Sequence, residues 1–564
     1  MLLTFYKNTI VRQYTYIAGL LLCALFPMSA YALVQPIADP GQILLEEQKR
    51  RQEEETMEKP TMTIDSSIAL TRPASNRKKR CFNIDVIRLK GATIFSQNTQ
   101  EAMIAPYLHS CMGMDDIDKL SQDITRQYTA KGYVTTRITI PQQNLKQGLL
   151  ELIIVEGKVE EIAINNNQTA TQKAEVATAF PNMKGKILNL KDVEQGLEQI
   201  NRLPSNNATV TIVPGNTNGT SQILVDNTPK NTFRGTVGYD NYGQKDTGVS
   251  RFHAGIEKDN LIGINDTVAV NYTATSKTNA VALSASVPYG YWTLSYDGSY
   301  SQYSELVDNN IAALTGQAYN NNLTLNRVIY RDSNNKVSLE TILNHSDETR
   351  NINDTALTPA ELTVIRLGAL DLLHTGNTVW NFDAHYSQGL SSLGAIHDAD
   401  NLPTDAPRAQ FKKIDGSISL SQPLSFATFH STVHGQYSFD SLYNNEQLTL
   451  GDVTTVRGFT DNLVTGDSGL YNQNELDFPL SSSLAAGVPF HLGHNLQPYM
   501  YLDEGYTTSF VNHQYTTLVG SGVGVRLNTN KFIGDLSLAV PIYASNPEEK
   551  DNYGAYVSVS YKVF

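Results

Sequence analysis

Residues 267–274 read TVAVNYTA, and this stretch decides the class of fold. Its even-numbered residues, from Val268 to Ala274, are apolar or aromatic, and most residues between them are polar. Successive side chains of a β-strand point to opposite faces, so the pattern predicts a strand with one apolar and one polar face. AVALSASV (280–287) and DLSLAV (535–540) alternate in the same way. The C-terminal part of the chain is therefore predicted to be all-β.

The alternation predicts sixteen strands between residue 227 and the C-terminus. They are predicted at residues 232–240, 249–257, 266–274, 279–287, 291–301, 320–330, 336–345, 362–371, 378–387, 410–420, 428–437, 471–480, 497–505, 519–527, 533–541 and 554–564. Each is close to the length of about 9–11 residues that a tilted strand needs to cross a bilayer, and bacterial single-chain barrels have an even number of strands. We therefore predict a membrane all-β fold, a sixteen-stranded antiparallel barrel over residues 227–564 with an aqueous lumen. A soluble β-barrel stays open as the alternative.

The first 32 residues predict a secretory signal peptide. Lys7 and Arg12 precede an apolar run at 16–26, and residues 30–32 form an Ala-Tyr-Ala cleavage site. The apolar run is shorter than the roughly 20 residues that a membrane-spanning helix needs. No later segment reaches about 18 consecutive apolar residues, so a helical membrane protein is not predicted.

Charge and cysteine content narrow the class of protein further. Removal of residues 1–32 lowers the formal net charge from −13 to −15, because two basic residues and no acidic residue are lost. An acidic exported chain is a poor candidate for binding nucleic acid. It keeps Cys81 and Cys111, and two thiols in an oxidising compartment predict one disulfide. No Cys/His cluster has the spacing of metal ligands, so we expect no metal and no cofactor.

Residues 81–226 contain a repeated unit of about 70 residues with the order strand, helix, helix, strand, strand. The first copy has strands predicted at 82–91, 133–140 and 149–157 and helices at 98–109 and 115–131. The second has strands predicted at 159–166, 208–215 and 221–227 and helices at 170–180 and 189–203. We therefore predict two small domains, 81–157 and 158–226, each large enough for a core of its own.

Residues 36–58 predict a polar helix. Asp39 and Pro40 supply an N-cap and a proline at the first helical position. Charges surround the helix and its apolar stripe is short, so it is not an ordinary core helix, and by itself the pattern indicates a solvated helix. Residues 59–80 contain two prolines and a basic cluster, and are predicted to form a flexible linker.

This layout resembles the outer-membrane transporters of two-partner secretion, the TpsB family of the Omp85 superfamily. The resemblance covers nearly the whole mature chain. Besides the order of the domains, five motifs carry it: LIIVEGKVEEI (152–162), LPSNNATVTIVPG (203–215), DNLIGIND (259–266), VRGF (456–459) and YLDEG (501–505). VRGF matches the signature of the superfamily. YLDEG is similar to the aromatic-x-Asp-x-Gly pattern of the family, with Tyr501 where Phe or Gly is usual.

The resemblance implies an architecture and a location. It implies two β-α-α-β-β POTRA domains in the periplasm, 81–157 and 158–226, and a barrel in the lipid bilayer of a Gram-negative outer membrane. It implies that the helix at 36–58 is a plug in the barrel pore, with a solvated helix as the alternative. The start CFNIDVIRLKG, with the Cys81–Cys111 pair, fits the haemolysin, adhesin and contact-dependent-inhibition subgroups.

The function that the resemblance implies is export of one large partner exoprotein of the TpsA type through the barrel. The POTRA domains would bind the partner, the transporter would be a monomer, and the barrel-assembly machinery would insert it. The sequence has no G-x-x-x-x-G-K-[ST] phosphate loop, so transport is expected to run without ATP, and no G-x-S-x-G motif, so no enzyme is expected. Two alternatives stay open: an Omp85-type barrel-assembly insertase and a passive porin.

The VRGF motif lies in a long predicted loop, residues 438–470. In PYMYLDEGY, alternation turns Asp503 and Gly505 toward the lumen, where a carboxylate requires a cation. We predict that the loop folds inward and that Arg457 binds Asp503 through a two-hydrogen-bond contact.

The neighbours of Arg457 in the motif have predicted roles as well. Gly458 allows a tight turn beside the wall, and Phe459, which follows Val456-Arg457-Gly458, is expected to pack on tyrosines in the lumen. Glu475 and Asp477 on the neighbouring strand are rival or additional partners of Arg457. The lumen is expected to be wet, which would weaken the ion pair.

Overall fold

The computed structural model describes residues 40–58, 81–164, 169–307, 312–353, 355–459, 463–479, 495–511, 515–546 and 553–564. The predicted signal peptide (1–32), the first residues of the predicted N-terminal helix (36–39) and the predicted linker (59–80) lie outside the described residues. The described chain begins with helix α1 (Pro40–Glu58). None of the described helices is long and apolar enough to cross a membrane.

The first small domain has a three-stranded and a two-stranded sheet packed against two helices. Its elements are β1 (Phe82–Ile84), β2 (Val86–Lys90), α2 (Gln97–Ile104), β3 (Ser110–Met112), α3 (Met114–Ala130), β4 (Arg137–Thr139) and β5 (Leu149–Val155), with 3₁₀ turns at Ala105–Tyr107 and Leu145–Gln147. Strand β5 pairs in parallel with β2 and antiparallel with β4, and β1 pairs with β3. One face of α3 supplies much of the core: Ile117, Leu120, Ile124 and Tyr128.

Two predicted strands of this domain are wrong in extent. The strand predicted at 82–91 breaks at Asp85, because the N–H groups of Asp85 and Val86 both donate to the carbonyl of Gly148 (2.8 and 3.0 Å). The strand predicted at 133–140 shrinks to Arg137–Thr139, because a turn precedes it.

Glu156 lies buried where the first domain ends. Its carboxylate accepts hydrogen bonds from the backbone N–H groups of Thr93 (2.7 Å) and Ile94 (3.0 Å), from the Tyr128 hydroxyl (2.7 Å) and from the Thr93 hydroxyl. Burial by itself raises the pKa of a carboxyl group, but these hydrogen bonds outweigh it and hold the pKa of Glu156 below its usual range. The next residue, Gly157, accepts a hydrogen bond from Leu188 of the second domain (2.8 Å).

The second small domain repeats the plan. Its elements are β6 (Lys158–Ile164), α4 (Ala170–Ala179), α5 (Leu190–Asn201), β7 (Thr209–Pro214) and β8 (Thr220–Asp226). Strand β8 pairs in parallel with β6 and antiparallel with β7. The core lies between this sheet and the two helices, and includes Val159, Phe180, Leu188, Val193, Leu197 and Ile223.

Sixteen strands close into an antiparallel barrel, which confirms the predicted fold class. They are β9 (Phe233–Asp240), β10 (Arg251–Asp259), β11 (Thr267–Ala274), β12 (Thr278–Tyr289), β13 (Trp292–Val307), β14 (Ala312–Arg331), β15 (Asn335–Ile352), β17 (Ala360–Thr375), β18 (Thr378–Leu390), β19 (Lys412–Pro423), β20 (Thr428–Ser438), β23 (Ser468–Asp477), β24 (Leu496–Thr508), β25 (Tyr515–Asn528), β26 (Phe532–Ala544) and β27 (Gly554–Lys562). A two-residue strand, β16 (Thr355–Ala356), pairs with β15 in a loop. The ring closes where β27 pairs with β9.

The barrel is apolar outside and polar inside. Exposed outward residues include Val270, Tyr272, Leu283, Leu294, Leu325, Leu339 and Val523. Buried inward residues include Ser301, Asn320, Ser338, Asn344, Ser346 and Ser431. A soluble barrel needs the opposite arrangement, so the structure decides between the two alternatives that the periodicity left open.

Backbone pairing continues beyond the end of the last barrel strand. Strand β27 ends at Lys562, but the Val563 N–H still donates to the carbonyl of Gly235 (2.8 Å). The ring of Phe564 then stacks on Phe233, with 4.9 Å between the ring centroids. The last residue is therefore packed on the first barrel strand.

The second small domain is bound to one rim of the barrel. Gln195 and Gln199 of α5 donate to the carbonyl of Gly290 (3.1 and 2.9 Å), in the turn between β12 and β13. Arg202 donates to the carbonyl of Asn265 (2.7 Å), in the turn between β10 and β11. Both contacts hold α5 against turns on the same side of the barrel.

A third turn contributes ionic contacts. Glu198 of α5 pairs with Lys336 (2.7 Å) and Arg331, which flank the turn between β14 and β15. Burial would raise the pKa of Glu198, but the two cations lower it to about 2. Helix α5 therefore contacts three consecutive turns of the barrel.

We predict that the bond between Cys81 and Cys111 stabilises the first domain by about 3–4 kcal/mol, the chain-entropy value for a loop of this size. The structure joins these residues in a disulfide with 5.2 Å between Cα atoms and a sequence separation of 30. Peptide mapping of non-reduced protein should recover the two peptides linked. Two free thiols in folded protein would contradict the prediction.

We also predict that Glu156→Ala destabilises the first domain by about 2–3 kcal/mol, because it leaves buried donors without an acceptor. The pKa of Glu156 is lowered in the folded state. Its contribution to stability is therefore present above the unfolded pKa and is lost as pH falls through the folded pKa. Hydrogen exchange of α3 and β5 in the full chain measures this. Unchanged exchange, with the exposed Glu161→Ala as control, would argue against it.

Candidate functional site in the barrel lumen

The sixth outward loop of the barrel, residues 439–467, folds into the lumen; we call it loop 6. It is shorter than the predicted 438–470, because β23 already begins at Ser468. It contains a 3₁₀ turn (Asn444–Glu446) and a hairpin of β21 (Leu448–Leu450) and β22 (Val464–Gly466). Residues 460–462 lie outside the described part of the chain.

Arg457 of loop 6 makes the contact predicted with Asp503 of β24. Its Nε and Nη2 atoms donate to the two carboxylate oxygens of Asp503 (2.6 and 2.8 Å), and its backbone N–H donates to the same group (3.2 Å). Its Nη1 atom donates to Glu475 of β23 (2.7 Å). One guanidinium therefore joins the loop to two neighbouring strands, which a lysine could not do in this geometry.

Asp477 is not a direct partner of Arg457. It instead pairs with Arg526 of β25 (3.2 Å), which also pairs with Glu475 (2.5 Å). Glu475 thus bridges two arginines. Arg526 could not be selected from the sequence, because its neighbours depend on how strands β23 to β25 align.

Two tyrosines of the wall stack against the guanidinium groups of this network. The Arg457 guanidinium lies 3.6 Å from the ring centroid of Tyr501, and that of Arg526 lies 4.0 Å from the centroid of Tyr499. A cation over an aromatic face is attracted by the ring electrons, and this attraction is stronger away from water. Tyr501 and Tyr499 therefore face the lumen, as predicted, and contact the guanidinium groups of Arg457 and Arg526 there.

The expectation of a wet ion pair is wrong. Asp503 is 0% exposed, and the Arg457 side chain is 12% exposed. Loop 6 itself excludes water from the pair, so removal of one partner would leave a nearly buried charge.

Glycines allow the loop backbone to approach the wall. Gly458 has φ of +112°, a conformation that favours glycine, and its N–H donates to the Tyr556 hydroxyl (2.9 Å). A Cβ atom on Gly520 would lie 1.9 Å from the carbonyl oxygen of Arg457. Gly505 likewise leaves room for Val456, since a Cβ there would lie 2.7 Å from that side chain. The alternating glycines of VGSGVGV (519–525) were the sequence signal for this close approach.

Phe459 packs away from Tyr499 and Tyr501. It is buried in a cluster with Leu450, Val456 and Leu518, against which Tyr471 of the lumen packs, whereas Tyr499 and Tyr501 belong to a separate cluster. The reason is that Gly458 turns the chain between Arg457 and Phe459, so the two side chains point to different neighbours. Val456 and Phe459 therefore fix the loop by apolar packing, and Arg457 fixes it by charge.

Helix α1 lies inside the barrel. Glu47 pairs with Arg251 of β10 (2.9 Å), and Gln48 accepts a hydrogen bond from Ser284 of β12 (3.3 Å). Arg50 donates to Gln473 of β23 (3.4 Å) and to the carbonyl of Thr454 in loop 6. Strands β12 and β23 are fourth and twelfth in the ring, so the helix contacts opposite walls.

A cavity of about 1060 Å³, lined mainly by residues of polar type, remains beside the helix. It is lined by α1, by the inner wall, by α5 of the second domain and by loop 6, including Lys49, Glu198, Arg202, Thr454 and Gln473. Within the described ranges, no group of three or more His, Cys, Asp or Glu side chains could hold a metal ion.

Comparison with known proteins identifies the family. Residues 219–527 match the model of the family described as haemolysin secretion/activation protein ShlB/FhaC/HecB. Residues 82–157 match the ShlB-type POTRA domain, and residues 158–214 match a POTRA domain.

Individual relatives agree with this. The outer membrane transporter CdiB of Dickeya dadantii is 35% identical over 71% of this chain and 72% of its own. The hemolysin transporter protein ShlB of Serratia marcescens is 33% identical over 72% of this chain and 73% of its own. The solved structure of CdiB from Escherichia coli superposes with a TM-score of 0.82 at 27% identity, over 93% of this chain and 97% of that one.

These matches confirm the predicted family, function class and location. The chain belongs to the ShlB/FhaC/HecB family of haemolysin secretion/activation proteins and is an outer-membrane transporter of the two-partner secretion type.

Proposed function

We propose that this transporter exports one large exoprotein of the TpsA type through its barrel, and that α1 plugs the pore until the exoprotein displaces it. The observation that carries the proposal is the position of α1, a charged helix inside the lumen with polar contacts to opposite walls. Polar contacts to a polar wall can be exchanged for water when the helix leaves, so removal costs far less than extraction of an apolar core helix.

The POTRA domains are the proposed binding region for the exoprotein. Strand β7 is an edge of its sheet, with β8 on one side, and an extended segment can add to such an edge through main-chain hydrogen bonds. Helix α5 joins this domain to the barrel rim, so a segment bound there starts beside the lumen. Transport would then use the free energy of binding and of folding outside, without ATP and without catalytic activity of the chain.

The two alternatives fit the structure less well. A passive porin needs an open lumen, and here α1 and loop 6 occupy it. An insertase of the same superfamily would not need a plug helix.

We further propose that the transporter acts as a monomer and is inserted by the barrel-assembly machinery. Sequencing of the adjacent reading frame would identify the cargo class, a haemolysin, an adhesin or a contact-dependent inhibition toxin. Co-expression of the transporter with the partner so identified tests the proposal by appearance of the partner in the medium.

We predict that deletion of residues 36–58 raises ion conductance of the purified transporter in planar bilayers, because the helix leaves its share of the lumen to water and ions. Glu47→Gln, which weakens the contact with Arg251, should give intermediate conductance with more frequent openings. Glu101→Gln in the first domain is the control. Conductance that stays at the wild-type level in the deletion would favour a solvated helix outside the pore.

We predict that Arg457→Ala and Asp503→Ala each reduce secretion sharply while the barrel still assembles. Removal of one partner of a buried ion pair costs about 3–5 kcal/mol, which loosens the loop but is small beside the hydrogen bonds of the barrel. Arg457→Lys should rescue poorly, because it gives up the two-oxygen contact. Secretion of the partner and heat-modifiable migration of the barrel measure the two effects.

The double variant and a matched arginine test whether the pair acts as a unit. Arg457→Ala/Asp503→Ala should be no worse than either single change. Arg408→Ala is the control, because Arg408 makes a longer and more exposed contact with Asp440 (3.7 Å). Additive defects, or full secretion with Arg457→Ala, would show that the pair does not hold the loop for export.

A further inference from the structure

Loop 6 has a second ionic contact, about ten residues before Arg457. Glu446 ends the 3₁₀ turn at Asn444–Glu446, and its side chain is 3% exposed. Arg366 of β17 donates through Nη2 to both carboxylate oxygens (2.8 and 2.9 Å). Lys413 of β19 lies 2.8 Å from the same carboxylate.

The backbone of Glu446 is held by the same wall. Lys413 Nζ and Gln436 Nε2 both donate to the Glu446 carbonyl (2.9 and 3.0 Å). Strands β17, β19 and β20 therefore all bind this one residue. A buried carboxylate is costly to desolvate, and both cations that compensate Glu446 come from the barrel and not from loop 6. The contact therefore serves to fix the loop to the wall.

The contacts of loop 6 extend over a wide arc of the ring. Arg366 is on the eighth strand of the barrel, whereas Tyr556, which binds Gly458, is on the sixteenth. Eight strands of sixteen separate them, which is half of the circumference. Loop 6 therefore contacts the wall over about half of the ring, beside α1.

We propose that Glu446 is a second anchor of loop 6, a positioning residue that holds this end of the loop independently of Arg457. The loop then stays in the lumen when α1 leaves, and an exported chain passes beside a segment that is fixed at two points. The part of this inference that concerns export rests on the proposed function, whereas the anchor itself is a property of the isolated transporter.

Spin labels on the purified full chain in lipid bilayers test the anchor. Cys81 and Cys111 are joined to each other, and the chain is purified without the predicted signal peptide that contains Cys23. The label therefore reacts with an introduced cysteine, Asn444→Cys beside Glu446 or Val453→Cys nearer Arg457. We expect Glu446→Gln to increase the mobility of the label at 444, and Arg457→Ala to increase mobility at 453 while the label at 444 stays restricted. Asp440→Asn is the matched control, because it removes a nearby carboxylate with a longer, partly exposed contact.

Two results of the label experiment would overturn the anchor. The first is an unchanged, restricted label at 444 in Glu446→Gln. The second is a label at 444 that becomes as mobile in Arg457→Ala as it is in Glu446→Gln. This would mean that Glu446 does not hold the loop without Arg457. If Glu446→Gln does not assemble, Arg366→Lys takes its place, since it keeps the charge and gives up the two-oxygen contact.

Secretion of the partner tests whether the anchor serves export. We expect a severalfold loss with Glu446→Gln and near wild-type export with Asp440→Asn. Wild-type export with a mobile label at 444 would overturn the role in export and leave the proposed function standing. If the unaltered transporter exports no partner, the proposed function fails, and the label experiment still decides the anchor.

Discussion

Closure of the barrel is the constraint on which the other features depend. A strand edge cannot remain unpaired in lipid, so every strand must pair on both sides, and the ring closes between β27 and β9. A ring of sixteen strands encloses more space than its own side chains fill. The polar inner wall, helix α1 and loop 6 are consequences of this excess space, because a lumen of this width must be filled by something if the membrane is to stay sealed.

Charge is the means by which the lumen holds its contents. Apolar packing fixes Leu450, Val456 and Phe459 of loop 6, whereas Glu47 of α1 and Arg457 of loop 6 are held by ion pairs with the wall. Such contacts are directional, so they fix where a segment lies, and each can be replaced by water when the segment moves. Arg457 differs from Glu47 in this respect, because its partner Asp503 is fully buried and has no access to water until the loop has moved.

The sequence predicted the barrel well because lipid imposes a strict period on each strand. Where lipid is absent the prediction was worse: β14 extends over Ala312–Arg331, although the strand was predicted at 320–330. Pairing there continues beyond the membrane, and no apolar face is required to mark it. The prediction for the first small domain failed in a similar way at Asp85, where a local backbone contact, and not a change of composition, ends the strand.

The site was predictable where one strand and one motif sufficed. The phase of β24 placed Asp503 in the lumen, and VRGF supplied the arginine. Arg526 and Glu446 were not predicted, because their partners lie on strands whose relative register is a property of the closed ring. The depth of burial around Asp503 could not be read from the strand either, since loop 6 provides the cover.

The grip of α5 on the barrel rim has a mechanical consequence. Asn265 and Gly290 lie in two turns of the barrel, and Arg331 and Lys336 flank the next turn. Helix α5, with Arg202 directly after it, contacts all three. Over the arc of strands that these turns join, the barrel cannot widen without breaking those contacts. Any change in the diameter of the pore must therefore be taken up by the remaining strands, which include the seam between first and last. The rigid arc lies under the docked domain, and the compliant arc lies away from it.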